Sequence, residues 1–320
     1  MFFNKSYFWL ELTDEEIRLL RVSNFGKRSR ILSSTVAPLK GDDPLKNAFE
    51  ALGADHNPNN NQVRVLCNPK GAYAFLHSID GQETNLEELV KIPQSVLHLE
   101  DPSSYLHFVL NVKNGKPYDP HASEKKWLFL GARKNVMEDI NLKIRNAGAT
   151  IKSIHWSLLS SIQGLLQHPS INTENITLLL LVGNESTWAA VLNGEEVLAI
   201  RNLTIGTKAL SINFSHTTLE SLKNDPQSIA ALERFQREIE TFIGFYELEN
   251  ALTIGSICFS WPQEDTSLLS DYFKDMMGLK ILSFDWEKML HEKEILVDNK
   301  DSLIPLGNNG LGLISSVINS

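Results

Sequence analysis

Residues 7–12 (YFWLEL), 17–23 (IRLLRVS) and 30–36 (RILSSTV) form three strand-like runs. They are joined by the polar turn Thr13-Asp14-Glu15-Glu16 and by Asn24-Phe25-Gly26-Lys27, where a glycine makes positive φ cheap. About 170 residues later the pattern returns as 176–183 (ITLLLLVG), 187–193 (TWAAVLN) and 196–206 (EVLAIRNLTIG). The central turn of this second set is Asn193-Gly194, the strongest short hairpin signal in the chain. A duplicated meander constrains topology more than any single motif. Each copy demands its own sheet, and each sheet needs helices to cover it.

The segments between and after the meanders supply those helices. A helix is expected over 43–52, stopped by Gly53 and followed by the linker-like Asn57-Pro58-Asn59-Asn60-Asn61. VRVLC (63–67), AYAFLHSI (72–79), YLHFVLNV (105–112) and KWLFLGA (126–132) read as strands, with a helix start at 84–90. Helices follow at 134–146, stopped by Gly148, and at 156–166. Beyond the second meander comes a long helix over 228–249. Its Leu232, Phe235, Ile239, Phe242, Ile243 and Tyr246 face a core, while Glu233, Arg234, Arg237, Glu238 and Glu240 face solvent. A strand-helix-strand unit (254–260, 266–277, 279–284) and an apolar helix over 310–319 complete the chain.

Several function classes are excluded early. The net charge is −9, from 39 acidic against 30 basic residues, and the longest basic cluster is Lys27-Arg28 with Arg30. A duplex binder needs a basic face to release counterions, so nucleic acid is not an expected partner. Cys67 and Cys258 lack a CxxC partner, which argues against zinc or a disulfide framework and for two reduced, buried thiols. MFFNKSYFWLEL meets Glu11 before an apolar core accumulates, so it reads as neither signal peptide nor membrane span. The expectation is a cytoplasmic chain. Nine histidines show no HExxH or HxxxH spacing, and there is no GxSxG, Walker loop or GxGxxG.

Two meanders, each opening one half with insertions between, are the pattern of the actin-like ATPase fold. Particular segments add to it. WLFLGARKNVMEDINLKIRNAGATIKSIHWSLLSSIQGL is similar to that family's strand-helix-strand-helix stretch. LLLLVGNESTWAAVLNGEEVLAIRNLTIG resembles its second phosphate hairpin, ALERFQREIETFIGFYE its long second-half helix, and LIPLGNNGLGLI its closing run. In order and spacing, nearly the whole chain resembles the PilM family, cytoplasmic actin-like components of type IV pilus assembly. More distantly it is similar to FtsA and the cytoplasmic part of GspL. The resemblance implies an α/β, ribonuclease H-like fold with two lobes, duplicated mixed sheet-and-helix halves and an inserted small α+β subdomain. The expected division is 1–71 for the first half of lobe 1, 72–153 for the inserted subdomain and 154–175 for a return helix. Lobe 2 follows at 176–305, and a C-terminal helix at 306–320 packs back on lobe 1.

Departures from the family pattern shape the expected function. Where the first hairpin of the family has Asp, a hydrophobic residue and Gly, this chain has Glu11, Leu12 and Thr13, then three carboxylates at 14–16. A Cβ at that glycine hinders amide contact with phosphate, and the carboxylates repel it. The second hairpin keeps Gly183 and Asn184, with hydroxyls at Ser186 and Thr187 as residual phosphate contacts. Leu181 stands where active members carry an acid for metal and water, and Trp261 stands against the adenine seat. The pattern is that of a pseudo-ATPase, with no catalytic residue, metal or cofactor expected. The resemblance further implies a scaffold peripheral to the inner membrane. It would hold the N-terminal cytoplasmic tail of a PilN-like single-pass protein in an apolar groove beside the small subdomain. Other pilus assembly proteins and a homo-oligomer or ring are further expected partners. The alternative is an ATP-binding switch or ATPase that recruits Mg²⁺ through Glu11.

Overall fold

The computed structural model describes residues 6–13, 15–25, 28–55, 57, 60–79, 86–113, 116–119, 121–122, 125–166, 175–194, 196–210, 224–260, 267–282, 286–298, 303 and 311–318. The first meander is β1 (Ser6–Leu12), β2 (Glu16–Phe25) and β3 (Arg28–Pro38). Strand β4 (Gln62–Cys67) then joins β1 in parallel. The small insert holds β5 (Tyr73–Ser78), β6 (Tyr105–Asn111) and β7 (Lys126–Arg133), and β8 (Thr150–Trp156) returns to pair in parallel with β4. The second meander is β9 (Thr177–Val182), β10 (Thr187–Asn193) and β11 (Glu196–Leu203). Here β12 (Ser256–Ser260) joins β9 in parallel and β13 (Lys280–Leu282) joins β12. The last short strand, β14 (Leu296–Val297), adds to the outer edge of β3.

Both large sheets therefore follow one rule: an antiparallel third-second-first meander, then a fourth and a fifth strand added in parallel. The observed orders are β14-β3-β2-β1-β4-β8 and β11-β10-β9-β12-β13. The duplication read from the strand pattern is thus a duplication of topology. Alternation along the strands decides which layer each face meets. In β1, Phe8 and Leu10 pack with helices α1 (Pro44–Ala51) and α2 (Lys134–Asn146), through Leu45, Phe49, Ile140 and Ile144. Tyr7 and Trp9 point the other way, into a core with α3 (Ser157–Leu166) and α6 (Leu311–Ile318). Leu179, Trp188, Ala190 and Leu192 enter that same core from the second sheet. The far face of the second sheet, with Leu178, Leu180, Ala189 and Val191, is covered by α4 (Pro226–Asn250) and α5 (Ser267–Met277). The result is five layers, helix-sheet-helix-sheet-helix, with α3 and α6 shared by both halves.

Within the expected insert, 72–153, the three-stranded sheet (order β5-β7-β6) spans Tyr73–Arg133, while α2 and β8 pack and pair with the first sheet. Ahead of the expected C-terminal segment, 306–320, Leu296–Val297 already pairs with β3, reinforced by the Arg30–Asp298 pair at 2.6 Å. The insert does not stand free. Val112, Leu128 and Leu130 of its sheet pack on Trp156, Leu159 and Ile200, and the Val197 amide donates to the Val112 carbonyl at 3.1 Å. Tyr105 and Trp127 are core residues of this region, while Phe108 is 52% exposed. Among the described residues no helix is long and apolar enough to cross a membrane, and no group of three or more His, Cys, Asp or Glu side chains could hold a metal ion. Both cysteines are buried and unbridged.

Candidate functional site: the cleft between two hairpins

In each sheet the turn after the first strand lies at the same end, so the two turns face one another across a cleft of about 740 Å³. Lobe 1 contributes Glu11, Thr13, Glu15, Glu16 and Arg18, and lobe 2 contributes Leu181, Gly183, Asn184, Glu185 and Ser186. The cleft runs on along Asn68–Ala72, which leads into the insert, and along Asn135, Asp139 and Lys143 of α2. Apolar walls come from Leu12, Leu39, Leu45, Pro69, Val136 and Ile140. The volume suits a small ligand or a short stretch of peptide.

The first hairpin is filled by its own side chains. The β1–β2 register sets Glu11 opposite Arg18. Arg18 Nη1 donates to Glu11 Oε2 at 3.1 Å and Nη2 to Glu16 Oε2 at 3.0 Å, with the Arg18 and Glu11 side chains only 6% and 7% exposed. Thr13 Oγ1 accepts from the amides of Glu15 (3.4 Å) and Glu16 (3.0 Å) and donates to the Glu16 carbonyl (3.2 Å). The Thr13 amide closes on the Glu16 carbonyl at 3.1 Å. Amide groups that could cradle a phosphate are therefore bonded within the turn. Glu15 Oε1 accepts from Asn184 Nδ2 at 2.8 Å, so the two hairpins touch directly across the cleft.

These contacts revise one expectation. Glu16 is paired with Arg18 and Glu15 accepts from the neutral Asn184 amide, so both acids are held in place while the turn keeps a net negative charge, and Asp14 lies outside the described residues. Glu11, proposed by the alternative reading as a metal recruiter, is buried against a guanidinium. Burial, with the charge of Glu11 adding to it, also pushes the neighbouring Cys67 thiol from 9.0 up to about 12, so the thiol stays protonated at neutral pH.

The second hairpin is held from behind. The Gly183 amide donates to the Ser186 carbonyl at 2.9 Å, while the Gly183 and Asn184 carbonyls accept from Thr207 (3.0 Å) and Lys208 (2.9 Å). Thr187 was expected to offer a hydroxyl to phosphate. It is fully buried and donates instead to the Ile205 carbonyl at 2.8 Å, because its place on β10 turns it inward. Ser186 and Leu181 do line the cleft, as does Ser260. Trp261, expected at the adenine seat, lies outside the described residues. Glu185 stands 3.9 Å from both Lys70 and Lys208, three exposed groups whose pairing contributes little.

Sequence reasoning missed Arg18 as the organiser of the first hairpin. The signal was available, because a hairpin with the turn Thr13–Glu16 pairs 11 with 18. It also missed Gly206, where a Cβ would lie 2.4 Å from the Asn184 carbonyl oxygen and 2.5 Å from that of Gly183. The polar residues of α2 come from a segment with no motif and could be placed only by the fold.

Two sheets of one topology, a shared helical layer and a cleft between paired hairpins define an actin-like, ribonuclease H-like two-lobed protein. Comparison with solved structures agrees. A chain of a "PilM-PilN type IV pilus biogenesis complex" aligns with a TM-score of 0.73 at 15% identity, over 98% of this chain and 98% of that one. A Bacteroides thetaiotaomicron protein described as having an actin-like ATPase fold and unknown function aligns at 0.49, with 9% identity over 88% and 91% of the two chains. The cytoplasmic domain of EpsL, an inner-membrane component of the type II secretion system of Vibrio cholerae, aligns at 0.41 with 10% identity, over 66% of this chain and 77% of that one. At 15% identity the likeness to the first of these is one of fold. Neither protein-family models nor curated proteins give a significant match to the sequence.

Proposed function

We propose that the protein is a cytoplasmic scaffold of a type IV pilus or related envelope assembly platform. In this reading it binds the N-terminal cytoplasmic tail of a PilN-like inner-membrane protein and does not turn over ATP. Peripheral attachment to the membrane comes through that partner, and other pilus assembly proteins or further copies of the chain complete a ring. The observation that carries the non-catalytic part is the self-filled first hairpin. Thr13 occupies the amides, Glu11 and Glu16 occupy Arg18, and the summed charge of Glu11, Glu15, Glu16 and Arg18 is −2 where a polyphosphate would have to sit. The likeness in fold to a chain of a PilM–PilN complex, together with the apolar wall from Leu12 to Ile140, supports a peptide as occupant. Extended peptides gain affinity from such walls and need no phosphate cradle.

Thermal unfolding with and without millimolar Mg²⁺-ATP tests the first part. A ligand at about a hundred times its Kd adds roughly 2.7 kcal/mol, a shift of several degrees. No shift is expected. A saturable shift would overturn the reading and make the nucleotide switch the better one. For the second part, a synthetic peptide of the cytoplasmic tail of a PilN-like protein from the same genome is titrated into the protein. Saturable binding to the wild type and its loss in Val136→Arg, which plugs the wall, are expected. Equal binding by both would place the peptide elsewhere.

A further inference from the structure

At the other end of the first sheet, β1 begins on a second, smaller cavity of about 210 Å³. It lies about five residues, roughly 17 Å, along β1 from the cleft. Among the described residues its lining includes Tyr7, Asn24, Gln62, Arg64 and Lys152, and the only charged members are the two cations. Among the described residues neither has an ion pair. That is unusual for a half-buried guanidinium in a chain of net charge −9.

Arg64 is held in place by aromatic rings, with no hydrogen bond from its side chain among the described residues. It sits opposite Trp9 in the β1–β4 register, with its guanidinium carbon 4.9 Å from the centroid of Tyr7 and 5.3 Å from that of Trp9. Cation–π contact holds the guanidinium beside these rings, and among the described residues its N–H fork has no protein acceptor. Tyr7 donates its hydroxyl to Asn24 Oδ1 at 3.2 Å, which leaves the Asn24 amide nitrogen as a further donor. The acid at one remove, Asp55, is held by Asn60 Nδ2 at 2.8 Å and by the Asn57 amide at 2.9 Å. The positive field is felt by His155, which partial burial and then the charge of Arg64 hold below its ordinary imidazole value.

We infer that this cavity is a binding site for a phosphate group, taken bidentate by Arg64, with Lys152 supplying the second positive charge and Asn24 and Gln62 supplying neutral donors. A preorganised planar fork favours an oxyanion over a halide, and two cations match a dianion better than a lone carboxylate. The site is separate from the cleft and does not depend on what the cleft binds. The phosphate could come from solution or from an anionic lipid headgroup.

The test titrates sodium phosphate into the full chain at ionic strength held constant with sodium chloride. Heat is recorded together with the indole N–H resonance of Trp9, a buried donor with no partner among the described residues. Saturable binding is expected. Lys152→Gln, at an exposed position that leaves folding intact, should weaken it about tenfold, and Arg64→Gln should abolish it. In parallel, the protein is sedimented with phosphatidylglycerol vesicles and with phosphatidylcholine vesicles. Selective sedimentation with the former, lost in Lys152→Gln, assigns the lipid headgroup. Phosphate binding without sedimentation assigns a soluble phosphate. If phosphate gives no saturable response and neither vesicle sediments the protein, the proposal is overturned. It is equally overturned if Lys152→Gln binds as the wild type does.

Discussion

A single cation, Arg18, organises the first hairpin, and its removal shows what it holds. Breaking a buried ion pair from one side leaves the other charge uncompensated, which costs about 3–5 kcal/mol, whereas replacing both partners by apolar residues is often neutral. Arg18→Leu should therefore lower the urea midpoint strongly, and Glu11→Leu/Arg18→Leu should recover most of the loss. Destabilisation in the double variant equal to or beyond the single one would show that the pair has no such role. The cysteines give a second prediction at this scale. Burial pushes Cys67 and Cys258 from 9.0 up to about 12. The unfolded chain gives up these protons first, so the native state binds more protons across the interval. The thiols' contribution to stability should be constant below about pH 9 and fall as pH rises from 9 toward 12. Neither thiol should react with a soluble disulfide reagent at pH 7 unless the protein unfolds. Alanine at either position should flatten the alkaline decline.

At the scale of elements, packing against a neighbouring backbone sets what each turn and helix end tolerates. Gly206 lets the chain after β11 lie against the carbonyls of Gly183 and Asn184. Gly206→Ala has no room, since both obstacles are backbone oxygens, and should cost several degrees of melting temperature by prying that hairpin loose. The start of α4 is set by Asp225, whose carboxylate accepts from the amides of Gln227 and Ser228, both at 3.3 Å, and from the Ser228 hydroxyl. The Ser228 hydroxyl above all, then the two amides, hold Asp225 below its ordinary carboxylate value against the opposing effect of desolvation. A lowered folded value means stability present at neutral pH and lost as pH falls through it. Asp225→Ala should melt a few degrees lower at pH 7, with the difference vanishing in strong acid. The elements legible in the sequence are those with a clear period, namely both meanders, α4 and the strand-helix-strand unit after it. The helix over Lys91–Leu97 carries Pro93 near its start and shows no amphipathic run, and β14 is two residues long. Periodicity needs length, and pairing of so short a strand is decided by the edge of β3. The candidate site was legible only in part for a related reason. Residue types at 11, 13 and 181 raised the expectation of an altered site, but the ring of contacts among Arg18, Thr13 and Asn184 depends on register and on two lobes meeting.

At the scale of the whole molecule, contacts among the described residues tie the two lobes together at three places. Helices α3 and α6 sit between the sheets, with Leu158, Leu313, Ile314 and Val317 fully buried among residues of both. The insert of lobe 1 adds a second tie, through Val112 to Val197 on the open edge of the second sheet. A third is Glu15 to Asn184 at the mouth of the cleft. Lobes joined at a common core, a sheet edge and the cleft mouth should unfold together, because exposing either side of the shared helices exposes apolar surface belonging to both. Thermal melts followed by far-ultraviolet dichroism and by tryptophan fluorescence should therefore superimpose. Of the six tryptophans, Trp9 and Trp188 lie one on each sheet in the shared core, so fluorescence follows that junction while dichroism follows the secondary structure of both halves. Replacing Ile314 by Asp places a charge in the shared layer and should lower both transitions by the same amount rather than only that of lobe 1. Two resolved transitions in the wild type, or a loss confined to one probe in the variant, would mean that α6 stabilises its own lobe alone. The cleft would then be free to open by a hinge, which is the motion a nucleotide-driven protein needs and a fixed peptide-holding scaffold does not.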